Sequence, residues 1–200
     1  MRPAVADGFD HLDLTWNLVL AWVPFVVALV VYDRAKRGAG GAGLLALLGV
    51  WLVFFPNAPY TVTDLVYLQI WTREPLWYDE MTYVVFAVTG MMLGLASLYL
   101  VHRVARARLG ASAGWLAVAA AALLAGLGVY LGRYLRWNSW DVLTNPRSLA
   151  RNLVQILEDP VGKPIAVTVL FGAFVAVTYL ALYTVAEMRP QGIPARIDKR

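Results

Sequence analysis

The sequence predicts an all-α, polytopic membrane protein with about five transmembrane helices plus one or two interfacial helices on the outer face. Three observations predict it. Hydrophobic residues make up 60% of the chain and charged residues 15%, against about 45–50% and 25% in soluble domains. The apolar residues gather into five long runs, long enough in total to leave no room for a separate soluble domain. The connections between runs, one outer stretch excepted, alternate between rich and poor in Lys and Arg, as the positive-inside rule requires of a chain that crosses a membrane repeatedly. Residues 1–200 are therefore expected to form one membrane domain, with spans at about 14–32, 42–55, 82–101, 113–131 and 165–186.

The first span, Leu14–Tyr32, follows Asp7, Asp10 and Asp13, where a secretory signal would carry positive charge, and precedes Arg34, Lys36 and Arg37. It is expected to be retained, with its basic loop in the cytoplasm and the N-terminus outside. Asn17 lies near its outer end. The second run, Ala42–Phe55, reaches only roughly 21 Å at 1.5 Å per residue. Pro56 and Pro59 push the residues before them toward extended geometry, so the chain is expected to unwind at Pro56-Asn57-Ala58-Pro59 below the membrane surface. Unwound backbone at that depth belongs beside protein or a water-filled cavity. Alternatively, Gly40 and Gly41 extend the helix inward and Pro56 ends it at the interface. Thr61-Val62-Thr63-Asp64 fits a capping box ahead of an interfacial helix through Leu65, Val66, Leu68 and Ile70, anchored by Tyr67 and Trp71. On that reading Asp64 is a cap; on the other, Asn57 and Asp64 are ligand or proton-transfer groups.

Trp77-Tyr78-Asp79-Glu80 supplies caps and an aromatic belt for the third span, Thr82–Val101, which ends in Arg103, Arg106 and Arg108. Gly90 and Gly94, then Gly128 and Gly132 at the end of the fourth span (Ala113–Leu131), have the spacing that lets membrane helices approach closely. Ala117, Ala121 and Ala125 continue that edge. Packing within one chain is expected over dimerisation. No span carries a charge near its centre, which argues against a proton-driven pump or a voltage sensor.

The fourth span leads into Gly132-Arg133-Tyr134-Leu135-Arg136-Trp137-Asn138-Ser139-Trp140-Asp141. On a helical continuation, Arg133 and Arg136 share a face and Tyr134, Trp137 and Trp140 form a neighbouring stripe. Arg133 is close enough to hydrocarbon to require a partner, Asp64 first and Asp141 second. Two arginines beside Asn138, Ser139 and tryptophans resemble an anion site with aromatic walls. The outer stretch Gly132–Pro164 also carries Arg147, Arg151 and Lys163 against the positive-inside rule. Either it meets something anionic, or Asp141, Glu158, Asp159 and lipid phosphates neutralise it. Asn145-Pro146 starts a helix through Glu158 with Leu149, Leu153, Ile156 and Leu157 on one face and Arg147, Arg151 and Gln155 on the other. It is expected to lie in the interface, binding headgroups or covering the site. The fifth span, Ile165–Ala186, leads to a cytoplasmic tail with Arg189, Arg196, Lys199 and Arg200.

Absent residue types narrow the chemistry. With no cysteine, disulfides and thiolate catalysis are excluded. His11 and His102 are assigned to opposite faces, which removes a paired-histidine haem or zinc site and a histidine base on the outer side. Asp64, Asp79, Glu80 and Asp141 have no recognised metal-ligand spacing. No metal and no cofactor is expected, and the loop-bound positive charge does not read as nucleic-acid binding.

The segment Phe54-Phe55-Pro56-Asn57-Ala58-Pro59-Tyr60 with Thr63-Asp64, together with Gly132–Asp141, resembles the bacterial multi-pass membrane family catalogued as domain of unknown function thirteen-sixty-one. The resemblance spans nearly the whole chain. It implies a bacterial membrane location but brings no activity, cofactor or site residue, so no catalytic residue is assigned. The residues themselves point to a site on the outer face of a bacterial plasma membrane, with the C-terminus cytoplasmic, that recognises an anionic headgroup or lipid-linked phosphate. Asn57, Asp64, Arg133, Arg136, Trp137, Asn138, Trp140 and Asp141 are its candidate residues. A small transporter or channel, and a non-catalytic scaffold subunit docking on an envelope-protein partner, are the alternatives. Membrane lipids are expected partners in each case.

Overall fold

A computed structural model describes residues 6–66, 68, 77–158 and 162–188, with the side chains of 6–13, 79 and 157 left aside. Every regular element among them is helical. The helices are α1 (Ala6–Lys36), α2 (Ala42–Phe54), a short α3 (Asn57–Tyr60) running into a 3-10 segment at Thr61–Val66, α4 (Trp77–Leu109), α5 (Ala111–Leu135), a short α6 (Asp141–Thr144), α7 (Pro146–Glu158) and α8 (Lys163–Glu187). Five segments are long and apolar enough to cross a membrane: Leu14–Lys36, Ala42–Val66, Glu80–Leu109, Ala111–Leu135 and Lys163–Glu187. Leu45, Leu116, Leu170 and Val177 point outward from them, as a bilayer-facing surface requires. The helix expected beyond Val66, with its Tyr67 and Trp71 anchors, and the basic tail after Met188 lie outside the described residues.

Close packing follows the small residues. α5 lies against α8, where Gly126 faces the backbone of Thr168 and Gly172, and Gly172 faces the Ala122 carbonyl. A side chain at either glycine would force the two backbones apart. α1 packs along α4 and α2, whereas α2 stands off from α4 and α5. The interval is bridged by Trp51, whose indole stacks on Phe55 with centroids 4.8 Å apart and donates from Nε1 to Ser97 Oγ at 3.2 Å. Trp51, Phe55, Leu95, Leu98, Ala125, Val175 and Tyr179 are buried together.

The α2–α3 junction corrects one expectation. The chain does not unwind into extended backbone at Pro56: Phe55 (φ −54°, ψ −40°), Pro56 (φ −60°, ψ −24°) and Thr61 (φ −54°, ψ −28°) all stay right-handed helical. Pro56 brings no N–H, so the ladder tightens there, with Ala58 N–H bonding to Phe55 O at 3.2 Å. The Phe54 carbonyl is met instead by the Asn57 side-chain amide at 2.9 Å. Thr61 is no capping residue either. It is buried, and its hydroxyl donates to the carbonyls of Ala58 (2.8 Å) and Ala87 (3.3 Å), tying the turn to α4.

Both glycine pairs hold this turn. On α4, Gly90 faces the Thr61 side chain and Gly94 faces Ala58 and Pro59; on α5, Gly128 faces the Pro56 ring and Gly132 faces the Tyr60 ring. The small-residue spacing thus serves packing within the chain. A Cβ at Gly128 would sit 2.5 Å from Pro56 Cβ, and a proline ring cannot swing aside. Gly128→Ala should therefore lower stability by about 1–3 kcal/mol, read as a fall in melting temperature of the detergent-solubilised protein. Gly49→Ala, in α2 with nothing within 4 Å of the new methyl, should hold or raise it. Equal behaviour of the two variants would remove the clamp.

Candidate functional site

Each candidate side chain is placed by the turn or by the end of α5. The helix stops at Leu135, and Arg136 adopts left-handed backbone (φ 56°, ψ 36°) with its N–H on Leu131 O. Trp137 N–H reaches the same carbonyl at 3.1 Å, closing a Schellman-like end. Arginine in that conformation costs roughly 1–2 kcal/mol that glycine would not. The expected helical continuation through Trp140 therefore fails, and Arg133 and Arg136 do not share a face.

Their fates differ. Arg133 turns toward the turn segment, its Nη1 3.3 Å from Asp64 Oδ1, with side-chain exposure of 18% and 5% for the pair. Asn17 Nδ2 donates to the other carboxylate oxygen at 3.0 Å. The predicted Asp64–Arg133 pair is present, with Asn17 joining from α1, and Asp64 is part of this buried knot. Arg136 instead is exposed and has no ion-pair partner among the described residues.

A cleft of about 560 Å³ opens beside the knot. Its polar end is formed by Asn57, Arg136, Asn138 and Ser139, with Trp137 and Tyr60 as aromatic walls. Asn57 and Ser139 link the two sequence segments directly, the Asn57 amide donating to Ser139 Oγ at 2.8 Å. Below, the walls turn apolar: Trp16 and Leu20 from α1, Leu52 and Val53 from α2, Leu124 and Leu127 from α5. Leu149 of α7 reaches the rim, and α7 begins at Pro146 with the Asn145 carbonyl accepting from Leu149 N–H at 3.1 Å.

Of the eight candidates, Asn57, Arg136, Trp137 and Asn138 line this cleft, while Asp64 and Arg133 sit in the adjoining knot. Trp140 and Asp141 are away from the wall. Asp141 organises the loop: its Oδ2 accepts from Asn138 N–H at 2.8 Å and its Oδ1 from Thr144 Oγ1 at 3.2 Å. Those bonds, the Asn138 backbone N–H foremost, hold its carboxyl below the usual carboxylate range. Asp141 thus fixes the Asn138 backbone. The α1 wall at Trp16 and Leu20 escaped sequence reasoning, because apolar residues in a span do not announce which neighbour they face. Among the described residues no group of three or more His, Asp or Glu side chains could hold a metal ion.

These features define a multi-pass helical membrane protein with a laterally walled cleft ending in a guanidinium and amides. The chain belongs to the family described as "Protein of unknown function (DUF1361)", which matches residues 16–178. No curated protein and no solved structure matches it.

The knot generates a quantitative expectation. Breaking a buried pair by removing one partner costs about 3–5 kcal/mol, against about 0–1 for an exposed pair. Asp64→Asn and Arg133→Gln should each be strongly destabilising, and the double variant should recover a coupling of at least about 1 kcal/mol. Thermal or denaturant unfolding of the four proteins measures it; strictly additive losses would show that the two side chains act independently.

Proposed function

We propose that the cleft recognises an anionic lipid headgroup or lipid-linked phosphate on the outer face of a bacterial plasma membrane. The observation that carries this reading is Arg136: a guanidinium with no ion-pair partner among the described residues, held at a strained backbone position, facing a cleft whose remaining wall is largely apolar. A planar guanidinium binds two phosphate oxygens at once. The Asn138 amide and the Ser139 hydroxyl offer further donors, Ser139 being held in place by the Asn57 amide, and Trp137 shields the exchange from water. Strain retained at one residue, when glycine would relieve it, supports a role for the side chain rather than for the turn. Arg133 is assigned to the knot that holds the turn in place, and Asp64 with it. A transporter is less well supported, because the apolar lower wall offers a polar solute no continuous donors. A docking scaffold would not require the apolar cleft that runs below Arg136.

The outward orientation rests on basic residues at the opposite end. Arg34, Lys36 and Arg37 close α1, and Arg103, Arg106 and Arg108 close α4, the side expected to face the cytoplasm. Because the chain has no cysteine, single cysteines can be read without background. Leu143→Cys, at a site 85% exposed, should react with a membrane-impermeant thiol reagent in spheroplasts. Ala39→Cys should react only after permeabilisation. The reverse pattern would place the cleft in the cytoplasm.

For the site itself, Arg136→Lys should weaken binding of an anionic lipid by more than about tenfold, or roughly 1.4 kcal/mol. Lysine at Arg147 and Arg151, exposed on α7, should change it little. Arg136→Gly should abolish that binding while raising stability by about 1 kcal/mol through relief of the left-handed strain. Native mass spectrometry of the purified variants, with melting curves alongside, checks both. Equal tolerance of lysine at all three positions would reduce the surface to a generic basic belt.

A further inference from the structure

A second cavity of about 480 Å³ lies at the opposite end of the gap between α2 and α5, walled by Leu44, Leu48, Leu98, Val104, Ala117 and Val118. It shares two wall residues, Leu52 and Leu124, with the first cleft. Both are partly open, 36% and 42% exposed, and they stand where the backbones of α2 and α5 have little close contact. The two cavities are therefore successive parts of one lateral groove. Along α5 the groove reaches from Gly132 to Ala117, roughly 22 Å at 1.5 Å per residue. One leaflet offers about half of a hydrocarbon core of roughly 30 Å.

The geometry points to a single long-chain amphiphile, an anion on an extended hydrocarbon chain, with its head at Arg136 and its chain running past Leu52 and Leu124 into the second cavity. This rests on the anion site proposed above and names its ligand class. The direction of the occupant follows from the two ends. At the far end Arg108 is committed, donating to the carbonyls of Ala35 and Ala39, whereas Arg136 has no ion-pair partner among the described residues. The wall between is almost wholly apolar, so a chain fits there and a headgroup does not. A groove of roughly 22 Å at 1.5 Å per residue takes an extended long chain, and a short chain anchored at Arg136 does not reach its far end.

The test compares a long-chain polyprenyl phosphate, geranyl phosphate and dioleoyl phosphatidate, each at matched mole fraction in nanodiscs. The long prenyl phosphate and dioleoyl phosphatidate should each bind more than about tenfold tighter than geranyl phosphate, because only their chains reach the second cavity. In the double variant Leu52→Trp/Leu124→Trp that preference should fall below about threefold, while Leu116→Trp, on the outward face of the same helix, should leave it intact. Arg136-dependent binding of all three lipids, without chain-length preference in the wild-type protein, overturns the groove and leaves the anion site standing. A preference undiminished in the double tryptophan variant also overturns it. Binding indifferent to Arg136→Gly removes the anion site and the inference with it.

Discussion

Pro56 takes away the N–H that would meet the Leu52 carbonyl, and the chain keeps a helical course past it only because two neighbouring helices leave room for it. Gly90 and Gly94 on one side, and Gly128 and Gly132 on the other, receive Thr61, Ala58, Pro56 and Tyr60. Thr61 then bonds across to the Ala87 carbonyl. With the turn fixed, Asn57 and Asp64 take defined positions, one facing the α5–α6 loop and the other facing Arg133. Remove the clearance and both polar contacts lose their register, since a shift of an ångström or two carries either beyond hydrogen-bond length.

Two arginines three residues apart have come to opposite ends of the electrostatic range. Arg133 is largely buried, and burial without a partner is prohibitive, so it is paired with Asp64, which Asn17 also holds. That pairing binds α1, the turn and α5 at one point. Arg136 stands one step beyond the helix end, where the negative pole of α5 offsets part of its charge and water or a ligand supplies the rest. Its strained backbone carries the side chain into the cleft instead of back along the helix. On the proposed reading, structural and recognition roles are thereby divided between neighbouring residues of the same type.

The five spanning helices were legible because apolar run length is a one-dimensional property. The Asp64–Arg133 pair was also legible, since an arginine next to hydrocarbon must find an acid and few acids were near. The extended turn and the helical continuation of α5 were not. Local proline preferences favoured unwinding at Phe55, but glycines remote in sequence provided the packing that holds it helical. Nothing in Leu135-Arg136-Trp137 marks a left-handed residue, a conformation usually signalled by glycine or asparagine. The apolar side of the cleft was invisible for a third reason: every span is apolar all round, so periodicity cannot say which face meets bilayer and which meets a neighbouring helix.

The position of α2 links these observations. Its proline-broken end is anchored between α4 and α5, while its body packs chiefly on α1. A helix held at one end whose body has little close backbone contact with α5 leaves a gap between the two, and Trp51 with Ser97 fills the side toward α4. The open side is bounded by leucines, so it is accessible to hydrocarbon but costly for polar solutes to enter. A polar cluster at the anchored end of such a gap is best reached by a molecule that is itself amphiphilic, arriving sideways from the bilayer with its charge level with Arg136. The same break that forces the glycine clamp therefore also creates the route by which a lipid would reach the site.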